Sequence, residues 1–335
     1  MTLPVILDCD PGIDDALALA LLLGRDDVEL VGITTVAGNV AAATTTANAL
    51  RLREFFQAPR VPVIAGAIHP LTRPNVFAEY VHGQDGLGGA PVPQATRGPD
   101  DGFGPDFIVE QLRARPGEIT VIAVGPMTNL ALALRREPRI TEWAKKVVLM
   151  GGSWTRGNIT AAAEFNFYAD PEAAAAVFNA DWRPVLVSLD LTLQARVTDS
   201  VMDRWRGYGP LSQQLLVPAL ANYFDNRSAA GTIAAPRSHI SAATGPAVHD
   251  AAAAAYVVAP ELFTAMPALT RVETRGDLTA GMSVVDFTAP ADPTKRVHHS
   301  SKHANSEVLT EIDVPGFWQL LEGSFAALAR RMQQR

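Results

Sequence analysis

The chain has 335 residues, enough to bury a substantial core in one large domain or two small ones. Its 28 Lys and Arg residues against 35 Asp and Glu residues give a formal charge of −7. This balance argues against a nucleic-acid partner, because proteins that bind nucleic acid normally present a basic face. The hydrophobic content of 48% is ordinary for a globular protein.

The N-terminal region and the cysteine count indicate the cellular compartment in which the protein is found. Cys9 is the only cysteine in the sequence, so no intrachain disulfide can form, which is typical of a reducing environment. The first residues lack a basic segment and reach a carboxylate at Asp8, unlike a signal peptide. The apolar run 16–23 is shorter than the about 20 residues that a membrane-spanning helix needs. We predict a cytoplasmic protein with no membrane partner.

Apolar strands and helices alternate along the first two hundred residues. The predicted strands cover residues 5–7, 28–36, 61–65, 119–124, 147–150 and 184–191, and the predicted helices cover residues 13–24, 41–56, 128–136 and 171–178. The strands are continuously apolar, which is typical of parallel strands covered by helices on both faces. The pattern predicts an α/β fold with an open, doubly wound, mostly parallel sheet flanked by helices.

The remaining sequence adds a helix over 250–258, strands over 269–274 and 283–287, and a last helix from residue 317. Two stretches lack a clear hydrophobic periodicity: residues 69–105, which are rich in Gly and Pro, and the loop 226–248. Long loops in compact α/β domains are often functional. Because the chain shows no repeat, linker or shift in composition, we predict a single domain over residues 1–335.

Four carboxylates crowd the turn between the first strand and the first helix: Asp8, Asp10, Asp14 and Asp15. Ligands of open α/β sheets bind beyond the carboxyl ends of the strands, where Asp10 lies. Helix capping explains one acid, and Asp8 fits that role best, as a residue that stabilises the turn. The other three repel one another unless a cation lies among them. Hard oxygen ligands select Ca²⁺ or Mg²⁺, so the turn predicts a metal site.

Two chemistries use such a turn. The Asp-x-Asp in "DCDPG" superficially matches a Mg²⁺-dependent phosphatase of the dehalogenase type. The lysine and the acidic pair that such an enzyme needs further along the chain have no convincing counterpart here. The alternative is metal-assisted attack of water on a sugar.

The string "DCDPGIDDA", beginning at Asp8, closely resembles the signature of the inosine-uridine preferring nucleoside hydrolases. Six further motifs follow in that family's order and spacing, over nearly the whole chain: "TTVAGN", "HGQDGLG", "VGPMTNLALAL", "VVLMGG", "AEFNFYADPEAA" and "AVHDAAAAAY". The resemblance implies a nucleoside hydrolase-like fold. It also implies Ca²⁺-dependent hydrolysis of the N-glycosidic bond of ribonucleosides, which yields ribose and a free purine or pyrimidine base.

The resemblance also implies a role for each matching residue. The Ca²⁺ ligands would be Asp10, Asp15, Asp250 and the backbone carbonyl of Val124. Asp10 would be the general base, and His249 would donate a proton to the leaving base. Carboxylates would stabilise the oxocarbenium-like transition state. The residues implied to bind the substrate are Asp14, Asn39, His82, Met150, Glu164, Phe165, Asn166 and His249.

Some of these residues also have a plain structural interpretation. Asp250 opens a helix and could be its N-cap. His82 could face the base, or it could serve merely to organise its glycine-rich loop. Extended backbone would direct Glu164 and Asn166 to the same side, with Phe165 opposite. These alternatives stay open at the level of the sequence.

The loop 226–248 leaves the base preference undecided. Relatives that accept purines place an aromatic residue shortly after an Asn-Arg pair, whereas Asn226 and Arg227 are followed here by Ser228. The candidates for this role are Tyr223, Phe224, Arg227 and His239.

The segment "RVHHSSKH", residues 296–303, is interpreted as a solvated loop. His298, His299 and His303 lack the spacing typical of metal ligands.

A riboside-binding protein of the same fold, or a hydrolase with a non-standard ligand, is a further alternative for the whole chain. Such folds commonly form dimers or tetramers, so we predict a homo-oligomer.

Overall fold

A computed structural model describes residues 2–222, 245–291 and 303–334 and places the strands of these residues in one nine-stranded sheet. The strands are β1 (Leu3–Cys9), β2 (Val28–Thr35), β3 (Val63–Ala65), β4 (Thr120–Ala123), β5 (Lys146–Met150), β6 (Val185–Val187), β7 (Phe263–Val272), β8 (Ser283–Asp286) and β9 (Ser306–Ile312). The sheet order is β3-β2-β1-β4-β5-β6-β9-β7-β8. Neighbours from β3 to β9 pair in parallel, and β7 runs antiparallel to both β9 and β8. The predicted α/β class is confirmed.

Helices cover both faces of the sheet. In chain order they are α1 (Ile13–Leu23), α2 (Ala42–Phe55), α3 (Glu79–His82), α4 (Gly104–Ala114), α5 (Thr128–Arg136), α6 (Ile140–Trp143), α7 (Phe165–Ala169), α8 (Pro171–Phe178), α9 (Leu189–Thr192), α10 (Asp199–Trp205), α11 (His249–Val258) and α12 (Val314–Gln333). The described residues also contain a π-helical turn (Ser212–Leu216) and a 3₁₀ turn (Pro260–Leu262). Within the described ranges, no helix has both the length and the apolar character to cross a membrane.

Strand β1 separates the two halves of the core. Its alternate residues Leu7 and Cys9 join the layer that contains α1, α11 and α12, while Ile6 joins the layer that contains α4, α5 and α8. Both faces of the strand are therefore buried, which explains its continuous apolar sequence. Asp8 shares the face of Ile6 because side chains alternate along a strand.

The strand order creates a crevice beside β1. Asp8 of β1 pairs with Thr34 of β2 on one side and with Ala123 of β4 on the other. The chain winds outward from β1 through β2 to β3, and then in the opposite direction from β4 onward. The carboxyl ends of β1 and β4 thus meet at the point where the winding reverses, which is where open α/β sheets bind ligands. Asp10 and Val124 follow these two strands directly.

The structure corrects several predicted elements. The strand predicted over 184–191 ends at Val187, because Ser188 is the extended N-cap of α9. Strand β7 begins at Phe263 rather than at residue 269, and the last helix begins at Val314 rather than at residue 317. Strand β9 and helices α4 and α10 were not predicted. The irregular stretch 69–105 contains α3 and the start of α4.

The end of α1 packs closely enough against α12 for a test by substitution. A Cβ at Gly24 would overlap the carbonyl oxygen of Ser324, whereas a Cβ at Gly323 would meet nothing within 4 Å. We predict that Gly24→Ala lowers the free energy of unfolding by about 1–3 kcal/mol through overpacking. Gly323→Ala should raise it by about 0.5–1 kcal/mol, because alanine is the better helix former. Urea denaturation measures both values, and equal changes would contradict the packing described.

Candidate active site

Buried carboxylates from three elements converge on the crevice. Asp10 follows β1, Asp14 and Asp15 lie in the first turn of α1, and Asp250 lies in the first turn of α11. None of the four is more than 5% exposed. Helices α1 and α11 pack against each other, so their N-terminal turns lie close together. Asp14, Asp15 and Asp250 each offer an oxygen within 4.8 Å of the others.

Asn39, which follows β2, orders this cluster. Its backbone N–H donates to Asp10 Oδ2 at 2.6 Å, and its side-chain amide donates to the Asp10 carbonyl oxygen and to Asp15 Oδ2, both at 3.1 Å. Asp15 also accepts from the backbone N–H groups of Asp10, at 3.1 Å, and Gly12, at 2.8 Å. The turn thus positions its own carboxylates through backbone donors.

The Asp10 carboxylate lies between two glycine loops. A Cβ at Gly38 would overlap Asp10 Oδ2, and a Cβ at Gly125 would lie 2.6 Å from Oδ1. Oδ1 is buried and has no hydrogen-bond donor among the described residues. A carboxylate oxygen without a donor in such a place is costly unless a proton or a cation satisfies it.

The electrostatics of the cluster favour a cation. Burial, and after it the charge of Asp14, raises the pKa of Asp15 from 3.8 to about 7. The pKa values of Asp10 and Asp250 are raised well above 3.8, first by burial and then by neighbouring carboxylates. Across the described ranges, no Lys or Arg forms an ion pair with these four residues. The donor set is all oxygen, which fits a hard divalent ion.

Asp8 does not join this cluster. It is fully buried on the α5 side of β1, where Oδ1 accepts from Thr34 Oγ1 at 2.5 Å and from Asn129 Nδ2 at 2.7 Å. Burial raises its pKa from 3.8 to about 7, against the lowering effect of both hydrogen bonds. Its side-chain partners in these hydrogen bonds come from β2 and α5, and not from the turn itself.

The side chains of the two predicted histidines lie near helix N-termini: His82 ends α3 beside the start of α1, and His249 begins α11. His82 is buried, and its Nδ1 accepts from the backbone N–H of Ile13 at 3.1 Å, so the neutral ring caps α1. Burial lowers the pKa of His82 despite the charge of Asp14, whose Oδ1 lies 4.0 Å from Nδ1. His249 is half-buried at the start of α11, and its Nδ1 lies 2.7 Å from Thr192 Oγ1.

The far wall of the crevice carries Met150, Glu164, Phe165 and Asn166. The extended backbone considered for this stretch applies only to Glu164, the extended N-cap of α7, because Phe165 and Asn166 lie in the helix. Glu164 Oε2 accepts from the backbone N–H groups of Asn166 at 3.0 Å and Gly152 at 2.8 Å. The Asn166 amide donates to the carbonyl oxygens of Val124 at 2.7 Å and Met150 at 3.0 Å. Phe165 packs apart from them in a small apolar cluster.

Several polar residues near the site were not predicted from the sequence, namely Asn129, Asn48 and Thr192. Asn129 and Asn48 each lie inside a helix and are buried there, and the local sequence does not show which polar residues of a helix face the core. Other predicted candidates lie outside the described residues: Tyr223, Phe224, Arg227, His239, His298 and His299. His303 is described and half-buried.

The fold and the crevice define an α/β enzyme whose polar site lies at the switch point of the sheet and is built from carboxylates. A sequence profile of the family described as "Inosine-uridine preferring nucleoside hydrolase" matches residues 5–319. The chain therefore belongs to this family, whose members are hydrolytic N-glycosidases.

Individual relatives agree over almost their full lengths. The chain is 35% identical over 325 residues to the pyrimidine-specific ribonucleoside hydrolase RihA of Salmonella gallinarum, covering 96% of this chain and 97% of the relative. It resembles the solved structure of a purine-preferring ribonucleoside hydrolase from Gardnerella vaginalis with a TM-score of 0.86 and 30% identity, covering 98% and 99% of the two chains. A plant nucleoside hydrolase, PpNRh1, gives a TM-score of 0.86 at 29% identity, covering 97% and 99%.

Glu164 makes the stability of the metal-free protein depend on pH. Burial raises its pKa from 4.5 to about 7, although backbone donors oppose the shift. The folded protein thus binds this proton more tightly than the unfolded chain. Its stabilising effect is complete below pH 4.5 and is lost as the pH rises through 7. The shift corresponds to roughly 3 kcal/mol.

We predict that, in chelator, raising the pH from 4.5 to 7 lowers the free energy of unfolding of both wild type and Glu164→Gln. The fall should be larger for wild type, by about 3 kcal/mol. Glu172→Gln is a matched control of opposite sign, because Arg73 lowers the pKa of Glu172. The stabilisation from Glu172 is lost as the pH falls. Urea denaturation across the pH range measures all three proteins. Parallel curves for wild type and Glu164→Gln would show that Glu164 keeps an ordinary pKa.

Proposed function

We propose that the protein hydrolyses the N-glycosidic bond of ribonucleosides in a Ca²⁺-dependent reaction, with Asp10 as general base. The observation that carries the proposal is the buried Asp10 Oδ1, which has no hydrogen-bond donor in the described part of the chain and belongs to a carboxylate on which the charges of Asp15 and Asp14 act. The family match supports this reaction over the phosphatase that the Asp-x-Asp string suggested.

The proposed ion ligands are Asp10, Asp15, Asp250 and the carbonyl oxygen of Val124. The oxygen-only donor set and the lack of a described basic partner support a hard cation there. Among the described residues, the three carboxylates with oxygens within 4.8 Å of one another are Asp14, Asp15 and Asp250, without Asp10, so Asp14 is close enough to share the site. When bound, Ca²⁺ would supply positive charge at the crevice and make water more acidic.

Asp10 is suited to accept the proton of the attacking water. Its Oδ2 is engaged by the Asn39 N–H, which fixes the carboxylate plane, while Oδ1 keeps its lone pairs for a proton or a cation. Gly38 and Gly125 have no side chains, which leaves room for the Asp10 carboxylate between their loops. Proton removal at this atom turns water into a nucleophile as the bond to the base breaks.

The remaining carboxylates stabilise the sugar as it becomes cationic. Bond cleavage leaves positive charge on the anomeric carbon and the ring oxygen. The buried negative charges of Asp14 and Glu164 act on that charge through a medium of low dielectric. Asn166 is held by two backbone carbonyls and Asn39 by its contacts with the turn. Both amides can therefore position ribose hydroxyls with little loss of entropy.

His249 is the proposed proton donor to the leaving base. The Thr192 hydroxyl has one hydrogen, which it can donate to the Leu189 carbonyl oxygen at 3.2 Å. Its oxygen then accepts from His249 Nδ1–H at 2.7 Å, which fixes the orientation of the ring beside Asp250. Purines carry a basic N7 that can accept a proton, so this role applies to purine substrates.

The base preference is a separate question. One relative is named pyrimidine-specific and another purine-preferring, and they are similarly related to this chain. We propose ribonucleosides as the substrate class, with no base assigned. The homo-oligomeric state and the cytoplasmic location stay predictions from the sequence.

Release of ribose and free base from inosine, adenosine, guanosine, uridine and cytidine tests the proposed function. We expect release from at least one nucleoside and no phosphate release from ribose 5-phosphate. Turnover of the sugar phosphate with no ribonucleoside cleaved would contradict the proposal.

Substitution of the proposed base gives a sharper test. Asp10→Asn keeps the size of the side chain and an acceptor for the Asn39 N–H, but it removes the basic carboxylate. We predict a fall in kcat of about 10²–10⁴-fold, the usual contribution of a general base. The control is Asp190→Asn, which alters a partly buried carboxylate that accepts a hydrogen bond from the backbone N–H of Trp154. A near-normal kcat in Asp10→Asn would remove Asp10 from the role of base.

A further inference from the structure

Asn129 lies behind the carboxylate cluster and has no place in the mechanism above. It is fully buried at the start of α5 and makes three hydrogen bonds. Its Nδ2 donates to Asp8 Oδ1 at 2.7 Å and to the Thr35 carbonyl oxygen at 3.0 Å, and its Oδ1 accepts from the Ala67 N–H at 2.8 Å. One side chain of α5 therefore joins β1, β2 and the loop after β3.

These three contacts lead directly to the loops around Asp10. Thr35 ends β2 and is followed by the loop of Gly38 and Asn39, and the Ala67 carbonyl oxygen accepts from the Ala37 N–H of this loop at 3.0 Å. On the other side, the Val124 N–H donates to the Asp8 carbonyl oxygen at 2.9 Å. The loop from Val124 to α5 contains Gly125, whose Cα faces Asp10 Oδ1.

The space around Asn129 is fitted to this amide. A Cβ at Gly66 would overlap the Asn129 amide, and a Cβ at Gly104 would lie 3.3 Å from its Nδ2. The amide supplies donors on one side and an acceptor on the other, and aliphatic residues of the same size supply neither. The surroundings of Asn129 therefore restrict both the position of its side chain and the groups that this side chain must carry.

We propose that Asn129 is a positioning residue for the hydrolytic reaction. It fixes the separation of the two loops between which Asp10 lies, and so the spacing of the Asp10 carboxylate and the Val124 carbonyl. This inference rests on the proposed function, because both groups are proposed ligands. Residues that orient ligands from behind typically change metal affinity or activity by about 10–100-fold when they are replaced.

The chain offers a control in Asn305, which is half-buried where Asn129 is fully buried. Its amide also makes three hydrogen bonds, accepting from the Thr270 N–H at 2.8 Å and donating to the carbonyl oxygens of Phe178 at 2.7 Å and Thr270 at 2.9 Å. It joins β7 to α8, with no contact to the carboxylate cluster. Asn129→Leu and Asn305→Leu therefore each lose three hydrogen bonds, one set behind the site and one set away from it.

The experiment compares Ca²⁺ affinity, measured by titration of chelator-stripped protein, with kcat and Tm for wild type and both variants. We expect a fall in Tm for both variants, but a loss of about 10–100-fold in Ca²⁺ affinity and kcat for Asn129→Leu alone. Equal affinities and kcat values in the two variants would overturn the proposal. Should the leucine proteins not fold, Asn129→Ser and Asn305→Ser give the same comparison.

A charge exchange separates positioning from packing. Asn129→Asp places a carboxylate beside Asp8, and the double variant Asp8→Asn with Asn129→Asp restores one amide-to-carboxylate hydrogen bond. We expect the double variant to bind Ca²⁺ more tightly than Asn129→Asp, and no recovery would count against the proposal. If wild type binds Ca²⁺ but cleaves no nucleoside, the proposed function fails and the Ca²⁺ affinities still decide the role of Asn129. If wild type binds no Ca²⁺, both proposals fail.

Discussion

The site depends on the burial of four carboxylates at the end of β1 without a described basic partner. Taking one unpaired charge out of water costs several kcal/mol, and neighbouring charges of the same sign add to that cost. The folded chain can offset this cost only by binding protons or a cation. The pKa values of Asp10, Asp15 and Asp250 are raised for this reason. The proposed reaction also creates positive charge, on the sugar, so the same arrangement that is costly without a cation would stabilise the transition state.

The rest of the fold brings these charges together and keeps them in place. Reversal of the winding beside β1 opens the crevice between β1 and β4, and the packing of α1 against α11 brings Asp15 and Asp250 to it. Backbone donors and the Asn39 amide then orient the carboxylates. Because so many of these contacts use backbone atoms, the geometry depends on strand register and on small residues, above all Gly38 and Gly125.

Most of the sheet could be predicted, since β1, β2, β4 and β5 each contain a run of consecutive apolar residues and the helices between them have clear ends. Strand β9 could not, because Glu307, Thr310 and Glu311 interrupt its apolar pattern although Val308 and Leu309 are fully buried. The family resemblance supplied the candidate site residues, but not their partners. Burial of Asn129 on an otherwise apolar helix face, and the capping role of Glu164, follow from contacts between distant segments that no local pattern contains.

The most direct test of this account is to measure Ca²⁺ binding and ribose release on one preparation of wild-type protein. The protein is first stripped with chelator and dialysed, and Ca²⁺ is then added back in steps with a cleavable ribonucleoside present. We predict one tightly bound Ca²⁺ per chain and ribose release that rises in proportion to its occupancy. Full ribose release by stripped protein, with no divalent ion bound, would contradict the claim that the carboxylate cluster works by holding a cation.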